Sequence, residues 1–248
     1  MNFSFQPVFF PMKKIQYSSL RFQKFLGWLA FPILSTLIIL LLKWIRRYEI
    51  QNLKEIRTTF KEIVSENRPI LICPNHLTMI DAVIIQYALV SMWGYFLNYR
   101  LFAWNIPAKE NFSSSIALRL ITYLSKCIPI DRNGDEAHIQ SVLSKADSLL
   151  KSNEPFLIFP EGKRSRTGKI EIEEVTYGVG KILQNIPDAI VVCIYLRGTK
   201  QVTYSTIPQK KDHFYLKLNP ICPKTEAKGL RGQRELSLQI IRELKSME

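Results

Sequence analysis

Histidine is scarce in this sequence: only His76, His138 and His213 are present. A multi-histidine metal centre would have to recruit all three from distant positions. The four cysteines, Cys73, Cys127, Cys193 and Cys222, are scattered with no C-x-x-C among them. Three lie in or beside apolar strand-like runs and read as buried free thiols of a reducing compartment. No G-x-S-x-G is present to form a serine-nucleophile elbow, and no Walker A loop to cradle a nucleotide. Neither an internal repeat nor a low-complexity linker interrupts the chain after Pro69. Acidic residues are also in short supply, 21 against 34 basic ones, for a net charge of +13. That excess suits nucleic acid, anionic lipid or phosphorylated substrates. The first 68 residues, with 11 Lys+Arg against 4 Asp+Glu, are the more basic part per residue.

What is present is a folded chain. Its 248 residues, 47% hydrophobic and 22% charged, suffice for one sizeable α/β domain with an appendage. The appendage comes first. Phe25 to Leu42 carries no charge and is bounded by Lys24 and by Lys43, Arg46 and Arg47. As a helix it spans about 27 Å, just enough to cross a hydrocarbon core. Trp28 and Trp44 stand near its ends, where amphipathic rings favour a membrane interface, and Gly27 and Pro32 are tolerable in such a helix. A signal peptide is a competing reading, but no small-residue cleavage site follows. Residues 1–50 are therefore expected to form a membrane-associated segment, spanning or half-inserted, ahead of a domain at 51–248. Basic flanks on both sides leave the orientation undecided by the positive-inside rule.

Residues Tyr48 to Asn67 read as an amphipathic helix, with Ile50, Leu53, Ile56, Phe60 and Ile63 at three- or four-residue steps. From Pro69 strand-like and helix-like runs alternate, which predicts an α/β fold with a central mixed, largely parallel sheet flanked by helices. Strands are expected near 70–73, 99–104, 127–130, 156–159, 189–196 and 214–218. Helices are expected near 78–91, 113–125, 135–151, 175–185 and 230–246.

Three strand ends carry chemistry. The apolar run Ile70 to Cys73 stops at Pro74 and delivers Asn75 and His76, and five positions later Asp81 stands in an otherwise apolar helix. Positions i and i+5 lie about 140° apart on a helix, so His76 must precede the helix if Asp81 is to reach its ring from the first turn, with Thr78 near the N-cap. A carboxylate on one imidazole nitrogen leaves the other free to take a proton from a hydroxyl. Read in isolation, the pair is equally a capping histidine beside a satisfied buried aspartate. The run Cys127 to Ile130 ends in Asp131 and Arg132, whose fork of donors suits phosphate. A surface arginine paired to Asp131 is the alternative. Phe156 to Phe159 ends at Pro160, followed by Glu161, Gly162, Lys163, Arg164, Ser165, Arg166, Thr167, Gly168 and Lys169, a loop of four cations within seven residues, held by two glycines, that reads as an anion cradle.

In this order and spacing, Asn75-His76-Leu77-Thr78-Met79-Ile80-Asp81, Ile128-Pro129-Ile130-Asp131-Arg132 and Phe159-Pro160-Glu161-Gly162-Lys163-Arg164-Ser165 resemble the glycerolipid acyltransferase superfamily, typified by the 1-acylglycerol-3-phosphate (lysophosphatidate) acyltransferases. The resemblance covers about residues 70 to 200 and extends to the N-terminal membrane segment. It implies that His76 and Asp81 form a catalytic dyad. It also implies that Asn75, Arg132, Glu161, Gly162, Lys163, Arg164 and Ser165 bind the substrates, and that the donor is an acyl thioester of coenzyme A or acyl carrier protein. Neither a metal nor a further cofactor is implied. The implied partners are membrane lipid and a lysophospholipid acceptor, with acyl carrier protein as an optional one and no nucleic acid. The implied location is the inner (cytoplasmic) membrane, with the domain on its cytoplasmic side.

Several positions depart from the family's pattern. Lys126 or Cys127 stands where a glycine opens the second motif, Lys163 replaces a threonine in the third, and Cys193 replaces a proline in the fourth, Val191-Val192-Cys193-Ile194-Tyr195. The segment Val175-Thr176-Tyr177-Gly178 lacks the lysine of the related Phe-Lys-x-Gly. These changes bear on the acceptor: lysophosphatidate comes first, and another lysolipid or a hydroxy-acyl amino lipid is the alternative. Two other classes compete, a thioester hydrolase using the same dyad on water and a non-catalytic basic membrane-binding or nucleic-acid-binding module.

Overall fold

The computed structural model describes residues 14–248 apart from Ser113 and Arg132. It begins with helix α1, Lys14–Ile39, which passes through Pro32 and runs on into a π-helical turn, Leu40–Ile45. There follow β1 (Glu49–Ile50), α2 (Leu53–Ser65), β2 (Ile70–Pro74), α3 (Asp81–Leu89), α4 (Met92–Leu97), β3 (Trp104–Asn105), α5 (Ile116–Leu124), α6 (Glu136–Lys151), β4 (Phe156–Leu157), α7 (Tyr177–Asn185), β5 (Ile190–Gly198), β6 (His213–Ile221) and α8 (Gly229–Met247). The six strands form one sheet in the order β1-β6-β5-β2-β4-β3. Every pairing is parallel except β5 with β6, which is antiparallel. This is the mixed, mostly parallel α/β sheet that the alternation of runs predicts.

The two faces of the sheet follow from strand periodicity. Leu71 and Cys73 of β2 join Val191, Cys193 and Tyr195 of β5 in a core closed by α6, α7 and α8. Ile70 and Ile72, with Ile190, Val192, Ile194 and Leu196, pack on the opposite face against α2 and α3. A strand covered on both faces reads as a continuous apolar run, and all five residues of β2 are buried. The helices show the complementary pattern. In α6 the buried residues Val142, Leu143, Ala146, Leu149 and Leu150 fall at three- and four-residue steps, and Asp135 caps its start by accepting from the His138 amide at 2.8 Å.

Two expected strands are not formed as such. Tyr99–Leu101 is a 3₁₀ turn, and only Trp104–Asn105 enters the sheet. Residues 127–130 contribute isolated bridges, Asn105 to Cys127 and Ala108 to Ile130. Both runs are apolar enough to be strands, but they lie at the sheet edge beyond β4, where no further partner continues the ladder. In the opposite direction, β1 is a strand that the amphipathic reading of 48–67 assigned to helix.

α1 lies along the domain. Phe31 meets Tyr95, Tyr99 and Phe102 edge-on, and Leu20 enters the core beside Trp104. Gly27 makes the approach possible, because a Cβ there would lie 2.5 Å from the Leu124 carbonyl oxygen. The other side of α1 exposes Phe22, Phe25, Leu29, Ile33 and Leu37. Ser18–Ile45 is the one helix among the described residues that is long and apolar enough to cross a membrane.

Candidate active site

Parallel strands bring their C-terminal ends to one edge of the sheet, where open α/β folds bind ligands. Here β2 and β4 lie side by side, and the polar segments that follow them meet. Past Pro74, the Asn75 amide accepts from the Leu196 N–H at 2.7 Å and donates to the Leu196 carbonyl at 3.1 Å. The side chain thus imitates one more rung of the β2–β5 ladder. Its polar atoms are engaged with backbone, so the role of Asn75 in the geometry is to fix where the chain leaves the sheet.

His76 turns out at that point. Its Nδ1 lies 3.1 Å from Asp81 Oδ2, and the same oxygen accepts from the amides of Leu77 at 2.6 Å and Thr78 at 2.7 Å. The other carboxylate oxygen of Asp81 accepts from the Thr78 hydroxyl. Asp81 is the first residue of α3, buried at 2% exposure. A carboxylate in the first turn faces the free amides and positive end of the helix dipole and gathers the preceding amides around it. Thr78 is therefore not the N-cap: Ile80 occupies that position without a side-chain bond, and Thr78 donates to Asp81 instead. With Nδ1 directed to Asp81, Nε2 is the nitrogen left to accept a proton. The ring stacks on Phe159 with centroids 3.8 Å apart.

The loop after β4 grips the backbone of His76. Glu161, itself buried, accepts from the His76 N–H at 2.8 Å, and the Ser165 N–H donates to the His76 carbonyl at 2.9 Å. The Ser165 hydroxyl in turn donates to the Lys169 carbonyl at 2.6 Å. Gly162 takes φ +68 where the loop bends, and a Cβ there would come within 2.5 Å of the Thr176 methyl. Arg164 lies with its guanidinium 5.6 Å from the Tyr204 ring centre. Lys163 is exposed on the same loop. Arg132 lies outside the described residues, and the neighbouring Asp131 faces Lys109, with Nζ to Oδ2 at 3.5 Å.

His76, Gly162 and Arg164 line one cavity of about 390 Å³. Its walls are otherwise mostly apolar, with Met79 and Ala82 from the β2–α3 region, Ile106, Pro107, Ala108 and Phe112 after β3, Ile130 ahead of α6, Ile139 and Leu143 of α6, and Ile158 and Phe159 after β4. Thr176 and Gly178, from the segment that departs from the Phe-Lys-x-Gly pattern, complete it. A single imidazole on the wall of an apolar chamber can activate a hydroxyl while the chamber holds a hydrocarbon chain. Most of these wall residues carry no local sequence signal, because each belongs to an ordinary helix or loop. Met79, Ile130 and Phe159 fall within the three motifs, and Thr176 and Gly178 within the segment that departs from Phe-Lys-x-Gly.

The other two histidines are elsewhere: His138 accepts from the Asp131 amide at 3.0 Å, and His213 faces Glu49 at 3.1 Å. Among the described residues no group of three His, Cys, Asp or Glu side chains is placed to hold a metal ion.

The class that the fold and site define is an α/β sheet with a carboxylate-bonded histidine at its C-terminal edge and an apolar chamber beside it. Within that class the family is shown by sequence: the Acyltransferase family model matches residues 55–223, more than half of the chain, and the chain belongs to that family. The match supports a general acyltransferase role. No curated protein matches the chain.

Proposed function

We propose that the protein transfers a fatty acyl group from an acyl thioester, of coenzyme A or acyl carrier protein, to a hydroxyl of a lysophospholipid, with 1-acylglycerol-3-phosphate as the first candidate acceptor. The observation that carries this reading is His76, bonded to Asp81 and lining the apolar cavity. His76 Nε2 takes the proton of the acceptor hydroxyl as its oxygen attacks the thioester carbonyl carbon. Asp81 holds the ring and stabilises the imidazolium that forms. Collapse of the tetrahedral species breaks the C–S bond, and the departing thiolate takes the proton back from His76, so no acyl-enzyme forms. Arg164, on the cavity wall, binds the acceptor's phosphate, with Lys163, Arg166 and Lys169 supplying positive charge on the same loop.

The apolar face of α1 supports a membrane location, where both the acceptor and the product dissolve. We place the domain on the cytoplasmic side of the inner membrane, where acyl thioesters are made. The test is a panel of lysolipids differing in head group, incubated with purified protein and acyl-CoA and followed by mass spectrometry. Acylated lysophosphatidate that disappears with His76→Ala is the expected result. Fatty acid released at the same rate with and without any acceptor would instead identify a hydrolase.

A further inference from the structure

A second cavity, of about 540 Å³, opens where α1 meets the domain. It is lined by Arg21, Lys24, Phe25 and Trp28 of α1 and by Trp104 and Glu154 of the domain, and it shares no residue with the cavity of His76. Trp104 opens β3 and Glu154 precedes β4, so this cavity lies at the N-terminal end of the parallel strands, opposite the candidate active site.

Its charge is unbalanced. Among the described residues Glu154 is the one carboxylate lining it, and that carboxylate is already engaged three times: by Lys24 of α1, by the fully buried Lys126 at 2.8 Å and by the Trp104 indole N–H at 3.1 Å. Arg100 lies alongside, bonded to the Asn153 carbonyl at 2.7 Å. Arg21, Lys24, Arg100 and Lys126 are thus four cations around one acid. Burial pulls Lys126 down to about 8 even though Glu154 opposes the shift, and Lys24 and Arg100 push it further in the same direction. Burial would raise Glu154, but Lys126 and Lys24 outweigh it and leave the carboxyl below its ordinary value. The acid is ionised and already shared between two cations, and a positive excess remains.

Arg21, Lys24 and Trp28 recur at three- and four-residue steps, on one stripe of the helix. Phe25 and Trp28 are exposed at 54% and 40%, and Leu29 and Ile33 continue the apolar surface along α1.

We infer that this cavity binds one anionic membrane phospholipid, its phosphate against Arg21 and Lys24 and its acyl chains along Phe25 and Trp28. The inference rests on the membrane reading of α1 above. Such a lipid would complete the charge balance of the junction and tie α1 to the domain on a side remote from catalysis.

The test is native mass spectrometry of the full chain in dodecyl maltoside with equal amounts of phosphatidylglycerol and phosphatidylcholine. One phosphatidylglycerol is expected to be retained per chain, and Arg21→Gln should weaken its retention about tenfold, the value of a lost charge-assisted bond. Arg21→Lys should largely restore it, and Lys54→Gln, on the exposed face of α2, should leave it unchanged. Equal retention of the two lipids, or equal losses in Arg21→Gln and Lys54→Gln, overturns the site. Displacement by inorganic phosphate at matched concentration would show that the cavity takes the anion alone and overturns the lipid. Flotation with neutral phosphatidylcholine vesicles tests the membrane reading itself. Flotation without lipid selectivity refutes the site alone, whereas no flotation refutes both.

Discussion

Asn75 and Leu196 exchange two hydrogen bonds, the side-chain amide of one with the backbone N–H and carbonyl of the other, at 2.7 and 3.1 Å. The exchange continues the β2–β5 ladder one rung past Pro74, and His76 is positioned by where that ladder ends. Replacing Asn75 by Ala leaves a buried N–H and C=O without partners, at a cost of about 2–4 kcal/mol. Thermal unfolding of Asn75→Ala should show this loss together with reduced turnover. Unchanged stability with lost turnover would instead make Asn75 a direct substrate contact.

The two members of the dyad should respond differently. His76→Ala removes a ring that stacks on Phe159 but keeps the backbone bonds to Glu161 and Ser165, so the fold should persist. Acyl transfer should fall by a factor on the order of 10² to 10⁴, the range for a positioned general base. Asp81→Asn should lose both activity and stability, because an amide presents hydrogens to donors now gathered at a carboxylate oxygen. Thioester turnover and melting temperature, measured on both variants, separate these effects.

Gly178 offers a direct probe of the cavity. A Cβ there would meet only the Leu143 side chain, at 4.0 Å, and the position is the second residue of α7. Gly178→Leu should therefore fold at least as well as the wild type, since a helix gains about 1 kcal/mol when glycine is replaced by a good helix former. Its side chain would occupy the space facing Leu143. The expected readout is a preference shifted toward shorter acyl chains in a donor series from C8 to C18, with little change for the shortest. An unchanged chain-length profile would place the hydrocarbon elsewhere.

Alkaline pH should destabilise the fold through thiols. Cys73 and Cys193 sit opposite each other in the β2–β5 register. Burial pushes both above the ordinary value of 9.0, with the neighbouring Cys193 thiol adding to the rise at Cys73 and Glu243 to that at Cys193. The folded chain keeps these protons while the unfolded chain releases them. The contribution is thus intact below pH 9 and falls above it by about 1.4 kcal/mol per pH unit for each thiol. Lys126, held down to about 8, acts in the opposite sense, so the difference between wild type and Cys193→Ala isolates one thiol. Urea denaturation at pH 8 and pH 10 should show a smaller decline in the variant.

Much of this molecule is local. The α1 segment, the 3.6-residue stripes of α2, α6 and α8, and the buried runs of β2 and β5 all follow from side-chain periodicity, which the chain carries whatever its neighbours are. So does the requirement that His76 precede a helix whose first turn holds Asp81. What periodicity could not settle depends on partners distant in sequence. Residues 99–103 and 127–130 have strand-like composition but no continuing partner beyond β3, so the first run turns helical in part and the second forms only bridges. Glu161 and Ser165 read as ligand residues, and the fold directs them to the backbone of His76. The cavity draws its walls from residues 76 to 178, and the charge excess beside Glu154 unites α1 with segments some 80 to 130 positions away. A hydrogen bond or a shared wall forms between surfaces that only tertiary packing brings together, and packing likewise decided which of the polar residues face the cavity and which hold it in shape.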